Sequence, residues 1–230
     1  MAQLKNNLSK IVSRLKSLAN PEAIGFMAKY GITPDRAYGV KIPELRRIAK
    51  SYRNDHELAL ALWDHNTRET RILASMIDNP KLLIETQMES WSDEFDYWEI
   101  CDQCCMNLFE KHSLAWQKAI EWSTNPDEGK KRAAFVLMAR LAVSDKNAVD
   151  EKFEPFVPLI VRESIDERNL VKKAVNWALR QIGKRNRALN QQAIQVAEKI
   201  VTLDSKSARW IATDALCELK SEAVQKRLKS

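Results

Sequence analysis

The chain has 230 residues, 45% apolar and 30% charged, with 37 basic against 31 acidic side chains and a net charge of +6. That length buries a core without metal or disulfide support. Five Gly and seven Pro are too few for a turn-rich β-sandwich or barrel, or for a disordered chain. No uncharged apolar run approaches the roughly 20 residues that span a bilayer, so no membrane partner is expected, and the positive balance permits a polyanion partner without requiring one.

Helix-period spacing of apolar residues runs from end to end, and strand alternation is absent. The first segment, 2–19, carries Leu4, Leu8, Ile11, Leu15 and Leu18 as one stripe. Its bases, with no acid before Glu22, also fit a mitochondrial transit peptide. A first helix is the simpler reading, and a cytoplasmic location is expected, nucleoid-associated in a bacterium. Further helices are predicted over 21–30, 42–51, 54–64, 67–77, 80–89, 96–110, 113–123, 128–142, 150–163, 167–183, 187–201, 205–217 and 219–227. Asn20-Pro21, Thr33-Pro34, Asn79-Pro80, Asn125-Pro126 and Gly183 punctuate them. No low-complexity linker divides the chain, so a single domain over 1–230 is expected.

Four of these segments share a form. TRETRILASMID (67–78), GKKRAAFVLMAR (129–140), NLVKKAVNWALR (169–180) and SKSARWIATDAL (205–216) each open polar, then carry a base, then Ala, then an apolar run. Their anchors Arg71, Arg132, Lys173 and Arg209 recur at intervals that suit two-helix repeats of the HEAT or armadillo kind. Each such pair buries its apolar face only by stacking on a neighbour. The fold class expected is therefore an all-α, HEAT-like/armadillo-like helical-repeat α-solenoid with a concave basic face. A plain helical bundle is the alternative.

Charge is unevenly distributed. From Arg168 to Arg187 there are seven bases and no acid; Lys130, Lys131 and Arg132 form a second cluster, and Lys41, Arg46, Arg47, Lys50 and Arg53 a third. On stacked repeats these clusters could line one strip that tracks a phosphate backbone. From Glu85 to Asp102, by contrast, there are seven acids and no base, a stretch expected to face away from a polyanion.

The segment SWSDEFDYWEICDQCCMNLFEKH (90–112) carries the most distinctive chemistry. Asp96 and Glu99 have the spacing of a capping box. Cys101, Cys104, Cys105, Leu108 and Phe109 form an i, i+3, i+4, i+7, i+8 stripe. Trp98 and Asp102 are i, i+4 neighbours on its shoulder. An indole face and a carboxylate side by side suit a positive centre, although a packing Trp and a solvated Asp share the same spacing. Cys101-x-x-Cys104 lacks two further ligands at zinc-like spacing, so no metal is expected. A second group, Lys173, Trp177 and Arg180, lies on one face of its helix, where Trp177 could meet sugar or base and the cations phosphate. No Gly-rich phosphate loop, metalloprotease motif or nucleophile elbow is present.

Taken in order, MAKY (27–30), YGVKIPELRR (38–47), LWDHNTRETRILASMID (62–78), YWEICD (97–102), KRAA (131–134) and KKAVNWALR (172–180) resemble the motifs of the AlkD-type DNA glycosylases, the HEAT-like-repeat DNA alkylation repair family. The resemblance runs from about residue 20 to 220. It implies release of N3- and N7-alkylated purines from duplex DNA by hydrolysis of the N-glycosidic bond, without flipping the base and without a cofactor. It also implies that Asp102 is the catalytic carboxylate and that Trp98 and Trp177 pack on the deoxyribose. Arg132 and Arg180 then hold backbone phosphate beside Lys131 and Lys173, and Tyr30 lies near the lesion. Lys41 stands where some members carry Gln, and Tyr97 where they carry a second Trp. The partner is duplex DNA with alkylated bases, and a monomer is expected to suffice. The competing reading is a non-catalytic helical-repeat scaffold that binds DNA structure or a protein.

Overall fold

The computed structural model describes residues 2–228. Its chain forms two compact units, 1–112 and 113–230. In the first lie α1 (Ala2–Ser17), α2 (Pro21–Ala28), α3 (Ile42–Ala49), α4 (His56–Asp64), α5 (Arg68–Ile77), α6 (Glu85–Asp93) and α7 (Trp98–Asn107). In the second lie α8 (Ala115–Glu121), α9 (Glu128–Ser144), α10 (Phe156–Glu163), α11 (Asn169–Gly183), α12 (Arg187–Ile200), α13 (Lys206–Leu219) and α14 (Glu222–Arg227). The described residues contain no strand, and no helix among them is long and apolar enough to cross a membrane.

The helix starts follow the punctuation. Asn20, Asp55, Asp127, Asn186 and Ser205 each accept a backbone N–H three residues on, satisfying a donor that the first turn leaves open. Thr67 and Thr70 cap α5 reciprocally. In the first unit α5 packs against α4 and lies between α3 and α7. In the second, α11 lies between α9 and α13, with α8, α10 and α12 packed on α9, α11 and α13. The four segments of shared form are thus the inner helices α5, α9, α11 and α13. The middle of α9, from Lys130 to Ala139, is buried all round, because both α8 and α11 pack against it.

Three expectations need correction. The helix expected over 80–89 begins only at Glu85. Asp78 and Asn79 accept backbone N–H groups from Asn79 and Lys81, and this turn chemistry holds the chain non-helical up to Ile84. The helix expected over 150–163 is a 3-10 turn at Asp150–Phe153 followed by α10, with Pro155 at the break. Asp96 and Glu99 do not form a capping box: α7 starts at Trp98 with no side-chain cap, because Glu99 is held by Arg68.

Candidate nucleic-acid site

The first unit builds its candidate group on α7. Cys101, Cys104, Cys105, Leu108 and Phe109 are fully buried, so the expected stripe is the face that packs. Burial pushes the Cys104 and Cys105 thiols well up, which leaves them inert packing groups. Among the described residues no His/Cys/Asp/Glu group could hold a metal ion. Trp98 sits half-buried beside the stripe and Asp102, one turn on, is 8% exposed at its edge. The Trp98 indole N–H donates to the Tyr30 carbonyl at 2.8 Å. Gly31, at φ +71°, makes the turn that follows Tyr30, a left-handed conformation that favours glycine. The MAKY segment and the Trp98–Asp102 pair therefore form one group. The Tyr30 ring is 61% exposed and meets Phe26 at 5.2 Å between centroids.

The neighbouring motifs hold this group in place. Arg68 and Glu99 are both buried, and the guanidinium Nε and Nη2 donate to the two carboxylate oxygens at 2.7 Å each, a bidentate charge-assisted pair. Arg68 Nη1 donates to Glu69 Oε1 and to the Val40 carbonyl. Glu69 in turn accepts the backbone N–H groups of Tyr38, Gly39 and Val40 at 2.8, 2.9 and 3.1 Å. Gly39 is at φ +76°, and a Cβ there would lie 2.1 Å from the Asn20 carbonyl oxygen, so only glycine fits. Exposed Lys41 follows directly, placed by this clamp. Trp63 stacks on Trp91 at 4.0 Å and donates to Glu94, which also accepts from Arg71.

Two of the seven acids in the run 85–102, Glu94 and Glu99, are thereby held by Arg71 and Arg68. Tyr97, which the resemblance sets in place of a second Trp, is buried, and burial pushes its phenol far up. Among the described residues its hydroxyl and Arg71 Nε have no hydrogen-bond partner; both residues line a cavity of about 200 Å³ with Asp35, Thr67 and Asp96.

In the second unit Lys173, Trp177 and Arg180 do share a face of α11. Lys173 is exposed and Trp177 half-buried. Arg180 donates to Glu218 at 2.8 Å and lies 3.6 Å from Asp214. Lys131 is buried, 2.6 Å from Glu163 and 3.3 Å from Asp166. Buried Arg132 donates to the Leu170 carbonyl at 2.8 Å, tying α9 to the start of α11. Arg168 donates to Asp166 and to the Pro126 carbonyl. Burial pushes the Asp166 carboxyl up, but the bonds from Arg168 and Lys131 outweigh it and hold the group low. Glu69, Glu163, Asp166 and Glu218 are residues that sequence reasoning missed, and Glu99 was expected as a cap and not as the partner of Arg68. Each lies about one repeat from the cation it holds or beside it, where a scan for like-charge runs does not look.

A sequence model of the family described as DNA alkylation repair enzyme matches residues 11–219. The chain belongs to that family. An uncharacterized protein of Listeria monocytogenes is 31% identical over 87 residues, which is 36% of this chain and 38% of that protein. An uncharacterized protein of Listeria innocua is 31% identical over 115 residues, 48% and 51% of the two chains. The chain thus spans about half or less of the curated relatives it matches. A solved structure, from a family related to the HEAT-like repeat DNA glycosylases with affinity for branched DNA structures, matches with a TM-score of 0.77 at 19% identity. That match covers 96% of this chain and 95% of the other. The DNA alkylation repair family member described here therefore has an all-α, HEAT-like helical-repeat fold. Its motif residues Arg68, Glu69 and Gly39 hold α7 and the loop before α3.

Proposed function

We propose that this chain is a monofunctional DNA glycosylase that hydrolyses the N-glycosidic bond of N3- or N7-alkylated purines in duplex DNA, as a monomer and without a cofactor. Alkylation at a ring nitrogen makes the base cationic. When the C1′–N bond breaks, the bonding pair moves to the base, which leaves neutral and needs no proton. Positive charge then grows on the sugar. Asp102 stabilises that oxocarbenium-like centre and orients the water that adds to C1′, as carboxylates do in sugar hydrolysis. Water's oxygen bonds to C1′, its proton passes to solvent, and an abasic site remains. Trp98 offers an indole face to the same charge. Tyr30 and Lys41 meet the duplex near the lesion, and Lys173 and Trp177 meet backbone and sugar. Because the base leaves unaided, it need not be flipped into a pocket.

The observation that carries this reading is the Trp98–Asp102 pair on α7, with the indole fixed by the Tyr30 carbonyl, in a chain of the DNA alkylation repair family. Methylated duplex DNA incubated with the protein should yield free 7-methylguanine and 3-methyladenine.

A second reading has its own support. Lys131 and Arg180 each hold protein carboxylates, and Arg132 holds a carbonyl. We assign these three to the scaffold first and to phosphate second. A non-catalytic binder of DNA structure would need no more, and the structural neighbour named above has affinity for branched DNA. Salt-sensitive DNA binding without any base release selects this reading.

A further inference from the structure

α13 buries one face and leaves a tryptophan off it. Ala208, Ile211, Ala212, Ala215 and Leu219 are fully buried and form the packing face, while Trp210 is 42% exposed. The ammonium of Lys172, on α11, lies 5.1 Å from the centre of the Trp210 ring, a cation–π contact. The simplest explanation would be a surface Trp covered by a lysine stem. The charge around the indole goes further than that.

α11 and α13 run parallel. Ser207 donates to the Asp166 carbonyl, just before α11, and Lys184, just after α11, reaches Glu218 near the end of α13. Trp210, Asp214 and Glu218 follow one another at i, i+4 and i+8 along one side of α13. At the far end of that side Asp214 and Glu218 take Arg180 and Lys184, and charge is matched. At the Trp210 end it is not. Arg168 is held by Asp166, and Arg209 lies 3.9 Å from Asp204. The ammonium groups of Lys172, Lys173 and Lys206 make no ion pair among the described residues. The carboxylates left to oppose them are Glu128, which accepts the Leu170 N–H, and exposed Glu167. The N-terminus of each helix adds about half a positive charge. Three ammonium groups and two helix N-termini outweigh two carboxylates, so an exposed indole sits in a positive excess.

We infer that Trp210, with Lys172 and Lys206, is a contact for an unpaired nucleotide, one repeat beyond the Lys173–Trp177 face. The base stacks on the indole and the flanking phosphates meet the ammonium groups, the combination by which single strands are held. In a duplex each base face is covered by its neighbours, so the indole gains a base only where the strand is unpaired. The inference rests on the DNA-binding reading above and extends it to DNA with a single-stranded arm.

The test is the affinity of the full chain, by fluorescence anisotropy, for a blunt duplex and for the same duplex with a single-stranded overhang. The wild type should bind the overhang form about tenfold more tightly, the order expected of one base stacked on an aromatic ring. Trp210→Ala should remove that preference while blunt-duplex affinity and melting temperature stay near the wild type, and Trp210→Phe should keep part of it. Lys172→Gln should flatten the slope of log affinity against log salt by about 0.7 on the overhang form. Lys199→Gln, on the outer helix α12, is the control for net charge and should leave that slope in place. Equal wild-type affinity for the two DNAs, or a preference that survives in Trp210→Ala, overturns the site and leaves the DNA reading standing. Equal losses by Trp210→Ala on both DNAs overturn the unpaired nucleotide in favour of a duplex sugar. Equal flattening by Lys199→Gln overturns the phosphate contacts in favour of a diffuse charge effect. No salt-sensitive binding of either DNA by the wild type overturns the DNA reading and the site together.

Discussion

The start of α5 and the start of α9 do the same job with different chemistry. Each carries a buried cation that ties its inner helix to the next. At α5 the planar fork of Arg68 takes both oxygens of Glu99, one of Glu69, and the Val40 carbonyl. All three charged side chains of the cluster are buried. At α9 the ammonium of Lys131 is shared between Glu163 and Asp166. A single point charge does not saturate two carboxylates, so Arg162 and Arg168 complete them from the rim, with side chains 46% and 35% exposed. The first cluster should therefore be brittle to substitution and indifferent to salt, and the second softer and responsive to pH. A base near a helix start in this fold is as much a staple as a reader of phosphate.

The sharpest way to break that contrast is to remove an acid from each cluster. Glu99→Ala leaves a buried guanidinium unpaired and should cost about 3–5 kcal/mol in urea unfolding, whereas Arg68→Met with Glu99→Leu should recover much of the loss. Glu163→Ala should cost about 1–3 kcal/mol, since Asp166 and solvent still serve Lys131. Equal losses at the two sites would end the distinction.

Next in size is a pair of lysines on the second unit. Lys131→Met should lower stability and hardly change the salt slope of DNA binding. Lys173→Ala should reduce that slope by about 0.9 and leave the melting temperature alone. The reverse pattern would return Lys131 to the phosphate contacts.

Trp98→Phe removes the hydrogen bond to Tyr30 and should cost about 0.5–1.5 kcal/mol. Its larger consequence should be a slower base release, which a purely packing Trp would not produce.

The smallest effects are in pH, and they have opposite signs in the two units. Asp166 is held below its ordinary 3.8. Its contribution to stability is complete above 3.8 and is lost as pH falls through the lower folded value, so Asp166→Asn should flatten the acid limb of the unfolding curve. Asp96 is raised above 3.8, by burial first and by Asp35 and Glu94, against the pull of Arg71. It costs stability above its folded value and nothing below 3.8. Asp96→Asn should therefore stabilise the protein at neutral pH, with the gain disappearing in acid.

The inner helices were legible in the sequence because each couples a polar start to a long apolar run, and α5, α9, α11 and α13 follow that form. So was the Trp98–Asp102 pair, because i, i+4 spacing on a helix is a local fact. The late start of α6 was not, since Asp78 and Asn79 hold a turn that leaves Leu82 and Ile84 exposed outside the helix. The partners of the cations were also hidden. Glu99 lies 31 residues from Arg68, Glu163 lies 32 from Lys131, and Glu218 lies 38 from Arg180. A run of bases shows no trace of the carboxylates that the next repeat brings to it. The bond from Trp98 to Tyr30 spans 68 residues, and no spacing rule reaches that far.

The central claim is that Asp102 carries the chemistry. Single-turnover release of 7-methylguanine from methylated duplex, measured for the wild type and for Asp102→Asn with DNA affinity followed in parallel, tests it most directly. The account predicts a rate lower by about 10²–10³ in the variant, with affinity nearly unchanged. Equal release by both proteins, or none by a wild type that binds the duplex, would contradict it.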